Sequence, residues 1–322
     1  MTHGMGSFSQ AAFDDHWLCL REQLDQAFDR RLPQFFEDIP ATHTAAFRDV
    51  LNGGKRLRGC LVALLNEALG GAPAAAIPRA MAIECVQAAS LIHDDFIDGD
   101  TVRRDRPATW TVLGPRRAVL VGDVIFATAL RRMAELGRED GVVLAKAIAT
   151  MATGAYQEAL AFSEVTQDAG LDAARLYPRL IYLKTGVLFG AAAQLGALAA
   201  AVSAPLAAQA FAYGVWIGEA YQIADDVRDW LEAPPTAAQC PMLAPALWHF
   251  CAGSEPAGRF GRPTPEHAER LRPVLRERMI AAAEHRLQQA IAAVDIFPGG
   301  PQASLLRAAP HAIVRAMTAG AP

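Results

Sequence analysis

The chain has 322 residues, of which 52% are hydrophobic and 20% charged, a balance typical of a globular core and unlike that of disordered sequences. Its 30 Lys and Arg against 34 Asp and Glu leave a formal charge of −4, so there is no basic field to hold a phosphodiester backbone, and nucleic-acid binding is disfavoured. The five cysteines, Cys19, Cys60, Cys85, Cys240 and Cys251, are scattered, which points away from a disulfide framework or zinc site and towards a reducing cytoplasm.

Residues 1–15 carry no basic stretch followed by an apolar run and read as a flexible N-terminus rather than a signal peptide. Beyond them Ala, Leu, Arg, Glu and Gln dominate long windows and strand signals are nearly absent. Helices are predicted over 42–52, 58–69, 80–98, 119–136, 142–162, 171–200, 208–230 and 265–294. Breakers fall at Gly70-Gly71-Ala72-Pro73, Glu232–Pro241, Ser254–Pro265 and Pro298–Pro301. No long polar linker or internal repeat interrupts them, so the expectation is an all-α chain with one helical domain over 16–322.

No charged residue occurs from Thr185 to Gly218, a stretch long enough to cross a bilayer. Its Ala and Gly content, Gln194 and Gln209, and the break at Ser203-Ala204-Pro205 favour a buried helical pair over a membrane span.

Two acidic motifs share one spacing, Asp94-Asp95-Phe96-Ile97-Asp98 and Asp225-Asp226-Val227-Arg228-Asp229. On a helix Asp94 and Asp98 project from one face, as do Asp225 and Asp229, and like charges four apart destabilise the helix unless a cation offsets them. Magnesium, held by a few carboxylates together with substrate phosphates, is the commonest such cation. A solvated acidic helix end is the alternative for either motif alone. Cationic clusters complete the pattern: Gly53-Gly54-Lys55-Arg56-Leu57-Arg58 follows a flexible turn, Arg103-Arg104-Asp105-Arg106 follows the first acidic motif, and Lys184-Thr185-Gly186 flanks the uncharged stretch. Carboxylates, magnesium and Arg or Lys together suit a diphosphate.

In the order GGKRLR, Gln87, HDDFID, RRDRPAT, LKTG, YQIADDVRD, from Gly53 to about Trp230, the chain resembles the trans-isoprenyl diphosphate synthases, or polyprenyl synthetases. The resemblance implies the isoprenoid-synthase helical bundle with a central apolar cavity, and a prenyltransferase that joins isopentenyl diphosphate to an allylic diphosphate. It implies about three Mg2+ ions, held by Asp94 and Asp98 and, from a facing helix, by Asp225, with Asp95 and Asp226 completing the catalytic motifs. Arg103 and Lys184 are implied on the allylic diphosphate, Lys55, Arg58, Gln87 and Arg104 on isopentenyl diphosphate, and Thr185 and Gln222 beside the reacting carbons. The small residues Val86, Ala89 and Ser90, before Asp94, imply an open tunnel and a product of twenty carbons or longer, with geranylgeranyl diphosphate the first expectation. A floor supplied by Phe126 or Phe162 would shorten it. Family members are usually homodimers, and the apolar stretch Val119–Ala129 could form the interface.

Two departures leave other readings open. No Lys follows Lys184, where the family carries a lysine-containing loop after the second acidic motif; Arg228, Arg259 and Arg262 are candidate substitutes. Asp105 replaces the family's usual Gly. A terpene cyclase on the same scaffold, or a catalytically weak partner subunit of another synthase, would also fit these departures.

Overall fold

A computed structural model describes residues 10–40, 47–161, 173–232, 265–298 and 301–318. Trp230 side-chain placement, the whole of 233–264 with Arg259 and Arg262, and Phe162 lie outside it. The described chain is all-α apart from one small hairpin. Its helices are α1 (Gln10–Phe35), α2 (Leu57–Ala68), α3 (Pro73–Asp98), α4 (Thr109–Leu113), α5 (Pro115–Leu136), α6 (Arg138–Ala161), α7 (Ala173–Ile181), α8 (Val187–Ala199), α9 (Ala204–Glu232), α10 (Pro265–Ala293) and α11 (Pro301–Thr318). Strands β1 (Val102–Arg103) and β2 (Arg106–Pro107) pair antiparallel, Val102 opposite Pro107.

The flexible N-terminus expected over 1–15 is corrected in its second half. Helix α1 begins at Gln10, and Phe13, Leu20, Leu24, Phe28 and Leu32 form a buried stripe at helical spacing. Helix α3 starts seven residues earlier than predicted because Pro73 occupies the first helical position, where its missing amide costs nothing. It stops at Gly99, whose left-handed φ of 74° any β-carbon would strain. The predicted helix 171–200 is resolved into α7, a π-helical turn at Tyr182–Gly186, and α8.

The chain packs as two compact units, each drawing on separated segments: 1–148, 191–211 and 297–306 in the first, 149–190, 212–296 and 307–322 in the second. In the first, α2 and α3 supply a core of Leu61, Leu64, Leu65, Met81, Ile83 and Val86, with Ile125 and Met133 of α5. Gly196 lets its helix approach α2, since a β-carbon there would lie 2.5 Å from the Val62 carbonyl oxygen. In the second, Leu176, Tyr177, Leu180 and Ile181 of α7 pack with Ile223 of α9 and Leu275 and Met279 of α10.

Two stretches are long and apolar enough to cross a membrane by composition, Pro73–Asp98 and Leu176–Ala199; 56% and 83% of their apolar windows are buried in the protein. The uncharged stretch divides at residues 200–203 into α8 and α9, the expected buried pair.

Candidate active site

In the first unit, the acidic motif closes α3. Asp94 is half-buried, Asp95 buried and Asp98 exposed. The last turn of α3 holds no basic residue, so its carboxylates oppose the helix dipole, an arrangement that favours an external cation. The hairpin following α3 turns Arg103 back onto it: Nε donates to Asp95 Oδ1 at 2.6 Å, and Nη2 donates to Asp95 and, at 3.1 Å, to Asp100 Oδ2. Between the strands Arg104 and Asp105 have φ of 53° and 59°. A two-residue hairpin with both φ positive has the type I′ form, which favours Gly at its second position; Asp105 holds that place as one of the residues that tolerate it.

The turn projects Arg104 over the GGKRLR loop. A β-carbon on Gly54 would meet Arg104 Nη1 at 2.6 Å, a contact the exposed Arg104 end could relieve, whereas the Gly54 φ of 94° itself calls for glycine. Arg104 is exposed, while Lys55 and Arg58 are half-buried beside the start of α2. Three of the residues expected to share an anion, Lys55, Arg58 and Arg104, thus belong to one loop-and-hairpin region. The third cation of the loop is structural. Arg56 is 5% exposed, donates from Nε to Asp25 Oδ1 at 2.9 Å and from Nη2 to the Leu51 carbonyl at 2.6 Å, and lies over the Phe28 ring. Buried Glu84 accepts from the Gly59 amide at 2.7 Å and satisfies an otherwise orphaned donor in the first turn of α2.

Further up α3, Gln87 is half-buried, Val86 and Ala89 are fully buried, and Ser90 is half-buried with its hydroxyl donating to the Gln87 carbonyl at 2.9 Å. His93 sits against Gly122 and Phe126 of α5, its ring 5.5 Å from that of Phe126.

In the second unit the LKTG motif forms the π-helical turn, whose widened backbone is a recurrent feature of functional sites. Gly154 makes room for it, since a β-carbon there would come within 2.8 Å of Leu183. One turn later on α6, Glu158 accepts a short hydrogen bond from Lys184 Nζ. Gly186 and Gly218 bring the π turn and α9 together: a β-carbon on Gly218 would lie 2.9 Å from Gly186 Cα. That approach lets Thr185 Oγ1 donate to Gln222 Oε1 at 2.7 Å.

The series continues. Gln222 Nε2 donates to Asp226 Oδ1 at 3.0 Å, and the hydroxyl of fully buried Tyr177 donates to Asp226 Oδ2 at 2.5 Å. A carboxylate only accepts, so Asp226 fixes which end of the Gln222 amide faces Thr185. Burial pushes the Asp226 carboxyl up to about 6, against the pull of the Tyr177 and Gln222 hydrogen bonds. Asp225 takes a different partner: Arg228 Nη2 donates to Asp225 Oδ1 at 2.6 Å and to Asp229 Oδ1 at 2.9 Å.

Glu158, Tyr177, Glu219 and Arg286 escaped the sequence reading. Tyr177 stands seven residues before Lys184, two helical turns away on the same face, a spacing that could have flagged it. Glu219 accepts from Arg286 Nε of α10 at 2.6 Å, both side chains nearly buried; burial raises the Glu219 carboxyl and Arg286 opposes the rise. Glu219 also touches Gly186, with 3.2 Å between its Cγ and a β-carbon built there. Removing one partner of a buried pair strands the other, so Arg286→Met should destabilise the protein by about 3 kcal/mol, with Glu219→Gln in the same chain restoring part of that. Urea denaturation of the two variants checks it; a loss below about 1 kcal/mol in Arg286→Met would show that the pair does not pin α10 to the site helix.

The ligating groups that the two acidic motifs offer are carboxylate oxygens, which suit magnesium. Among the described residues no three His, Cys, Asp or Glu side chains form a ready metal cage.

A model of the polyprenyl synthetase family matches residues 40–239. The short chain isoprenyl diphosphate synthase of Methanothermobacter thermautotrophicus is 35% identical over 212 residues, 65% of each chain. The geranylfarnesyl diphosphate synthase of Aeropyrum pernix is 39% identical over 187 residues, 54% of this chain and 57% of its own. The match therefore spans about 57–65% of those relatives' length. Among solved structures, the geranylgeranyl pyrophosphate synthetase of Pyrococcus horikoshii superposes with a TM-score of 0.74 over 94% of this chain and 98% of its own, at 24% identity, a likeness of fold.

Proposed function

Because the chain belongs to the polyprenyl synthetase family, we propose that it is a magnesium-dependent prenyltransferase that condenses isopentenyl diphosphate with an allylic diphosphate. The observation that carries this reading is that the matched segment contains both acidic motifs, each at the C-terminal end of a helix with no basic residue in its last turn. Carboxylates four residues apart repel each other and a cation offsets that repulsion, a part that Arg228 plays for the second pair.

Asp94, Asp98 and Asp225 are the proposed magnesium ligands. The metal supplies Lewis-acid neutralisation of the departing diphosphate. Lys184, bonded to Glu158, and Arg103, bonded to Asp95, are proposed to offer charge-assisted bonds to diphosphate oxygens. Lys55, Arg58, Gln87 and Arg104 bind isopentenyl diphosphate. The carbon–oxygen bond of the allylic substrate breaks, the alkene of the second substrate attacks the resulting cation, and a proton leaves. Thr185 and Gln222 set oxygen dipoles toward that positive charge, pre-aligned by Asp226 and Tyr177. Apolar surroundings, proposed to begin beside Ser90, would shield the cation from water.

The relatives carry products of different lengths in their names, and the small residues Val86, Ala89 and Ser90 support twenty carbons or more, geranylgeranyl diphosphate first. A homodimer working in the reducing cytoplasm completes the proposal, with Leu120 of α5, 61% exposed, on the candidate interface. Purified protein incubated with magnesium and farnesyl diphosphate, with and without isopentenyl diphosphate, tests the reading by mass analysis. A longer diphosphate only with both substrates supports it; a hydrocarbon from farnesyl diphosphate alone, or no product, rejects it.

A further inference from the structure

The two acidic motifs differ in how they meet their nearest arginine. Arg103 bonds Asp95 and Asp100. In the second motif one guanidinium bridges the carboxylates four residues apart: Arg228 Nη2 lies 2.6 Å from Asp225 Oδ1 and 2.9 Å from Asp229 Oδ1, and its Nε is 3.1 Å from Asp229 Oδ1. A divalent cation held by Asp225 would compete with this guanidinium for the same carboxylate oxygen. A planar, permanently charged guanidinium competes well for it, because its fork matches carboxylate geometry.

We propose that Arg228 is a displaceable counter-ion of the second acidic motif: with no diphosphate present it occupies the Asp225–Asp229 pair and holds divalent cations off, and an arriving diphosphate draws it away, so that metal and diphosphate bind cooperatively. The same residue then supplies a cation to the diphosphate in a chain that has no Lys after Lys184. The cooperativity is reciprocal by linkage, each ligand favouring the conformer in which the arginine has left the carboxylates. The inference builds on the proposed prenyltransferase reading but is tested without turnover.

Manganese(II) titrations followed by electron paramagnetic resonance, without and with inorganic pyrophosphate, measure it on wild type, Arg228→Leu and the double variant Asp225→Asn/Arg228→Leu. Without pyrophosphate, Arg228→Leu should bind the ion about tenfold more tightly at the second motif, the worth of one charge-assisted contact. The gain should disappear in the double variant, and pyrophosphate binding in saturating metal should weaken about tenfold in Arg228→Leu. Arg228→Lys, which keeps the charge but loses the fork, should fall between. Unchanged or weaker metal binding in Arg228→Leu, or a gain that survives Asp225→Asn, overturns the proposal. An inactive wild type that nevertheless shows these shifts would sink the prenyltransferase reading and leave the counter-ion intact.

Discussion

Asp94→Asn and Asp225→Asn should each lower turnover by at least about a thousandfold while the helical fold persists. Metal-borne neutralisation of a leaving diphosphate is worth several kcal/mol, and each 1.36 kcal/mol is tenfold in rate, so losing about 4 kcal/mol gives about that factor. The substitutions are close to isosteric. Asp94→Asn also removes a negative charge near the C-terminus of α3, which relieves the dipole, and Asp225→Asn weakens one contact of Arg228, which keeps Asp229. Far-ultraviolet circular dichroism should therefore match wild type. The rate loss and the ligand response should move together: magnesium with pyrophosphate should raise the melting temperature of wild type and raise it less in either variant, since stabilisation by a ligand falls with its affinity. Asp95→Asn provides the contrast. Asp95 is bonded to Arg103, so its loss acts through the orientation of that guanidinium and should cost less. Near-normal turnover in Asp94→Asn or Asp225→Asn removes the metal roles.

The acidic pairs were legible as neighbours because their spacing matches the helix period: Asp94 with Asp98, and Asp225 with Asp229, are like charges that a cation stabilises, Arg228 doing so in the second pair. Helix α2 and the C-terminal end of α3 were legible from apolar periodicity, with the acidic motif marking the end of α3. Other features depend on tertiary contacts that leave no local trace. Helix α1 mixes its buried stripe with enough charge that its periodicity is weak. The π turn at Tyr182–Gly186 needs an extra residue in the helical ladder, and its sequence, YLKTG, has no breaker to announce it. Pro73 reads as a stop and acts as a start, because the same missing amide is harmful inside a helix and harmless at its first position.

The supporting residues around the LKTG motif were hidden for a further reason: their partners are distant in sequence. Tyr177 reaches Asp226 across 49 positions and Arg286 reaches Glu219 across 67. Each looks like an ordinary helical residue until its partner is seen. The glycines were equally mute. Gly154, Gly186 and Gly218 are scattered through Ala-rich helices, where they read as small-residue filler, yet without them the π turn could not come close enough for Thr185 to meet Gln222.

Product length gives the second large effect. Ser90 stands one turn before Asp94 on the same face of α3 and is half-buried, whereas Ala89 is fully buried. Ser90→Phe should truncate the product. A growing chain that must press against the new ring meets an overpacking cost of about 1–3 kcal/mol, which slows every addition beyond that point by roughly 5- to 150-fold. Because the cost recurs at each step, the product distribution should collapse to fifteen carbons while the first condensation proceeds. Folding stability should hardly change, since Ser90 contributes only a local bond to the Gln87 carbonyl. Ala89→Phe separates tunnel from core: with no exposed surface at this position, a ring that finds no shaft must displace packed neighbours and destabilise the protein by about 1–3 kcal/mol. Product analysis by mass and thermal melts of both variants distinguish the cases. An unshortened product in Ser90→Phe, with folding and turnover intact, would place the floor of the shaft elsewhere, with Phe126 of α5, beside His93, the next residue to substitute.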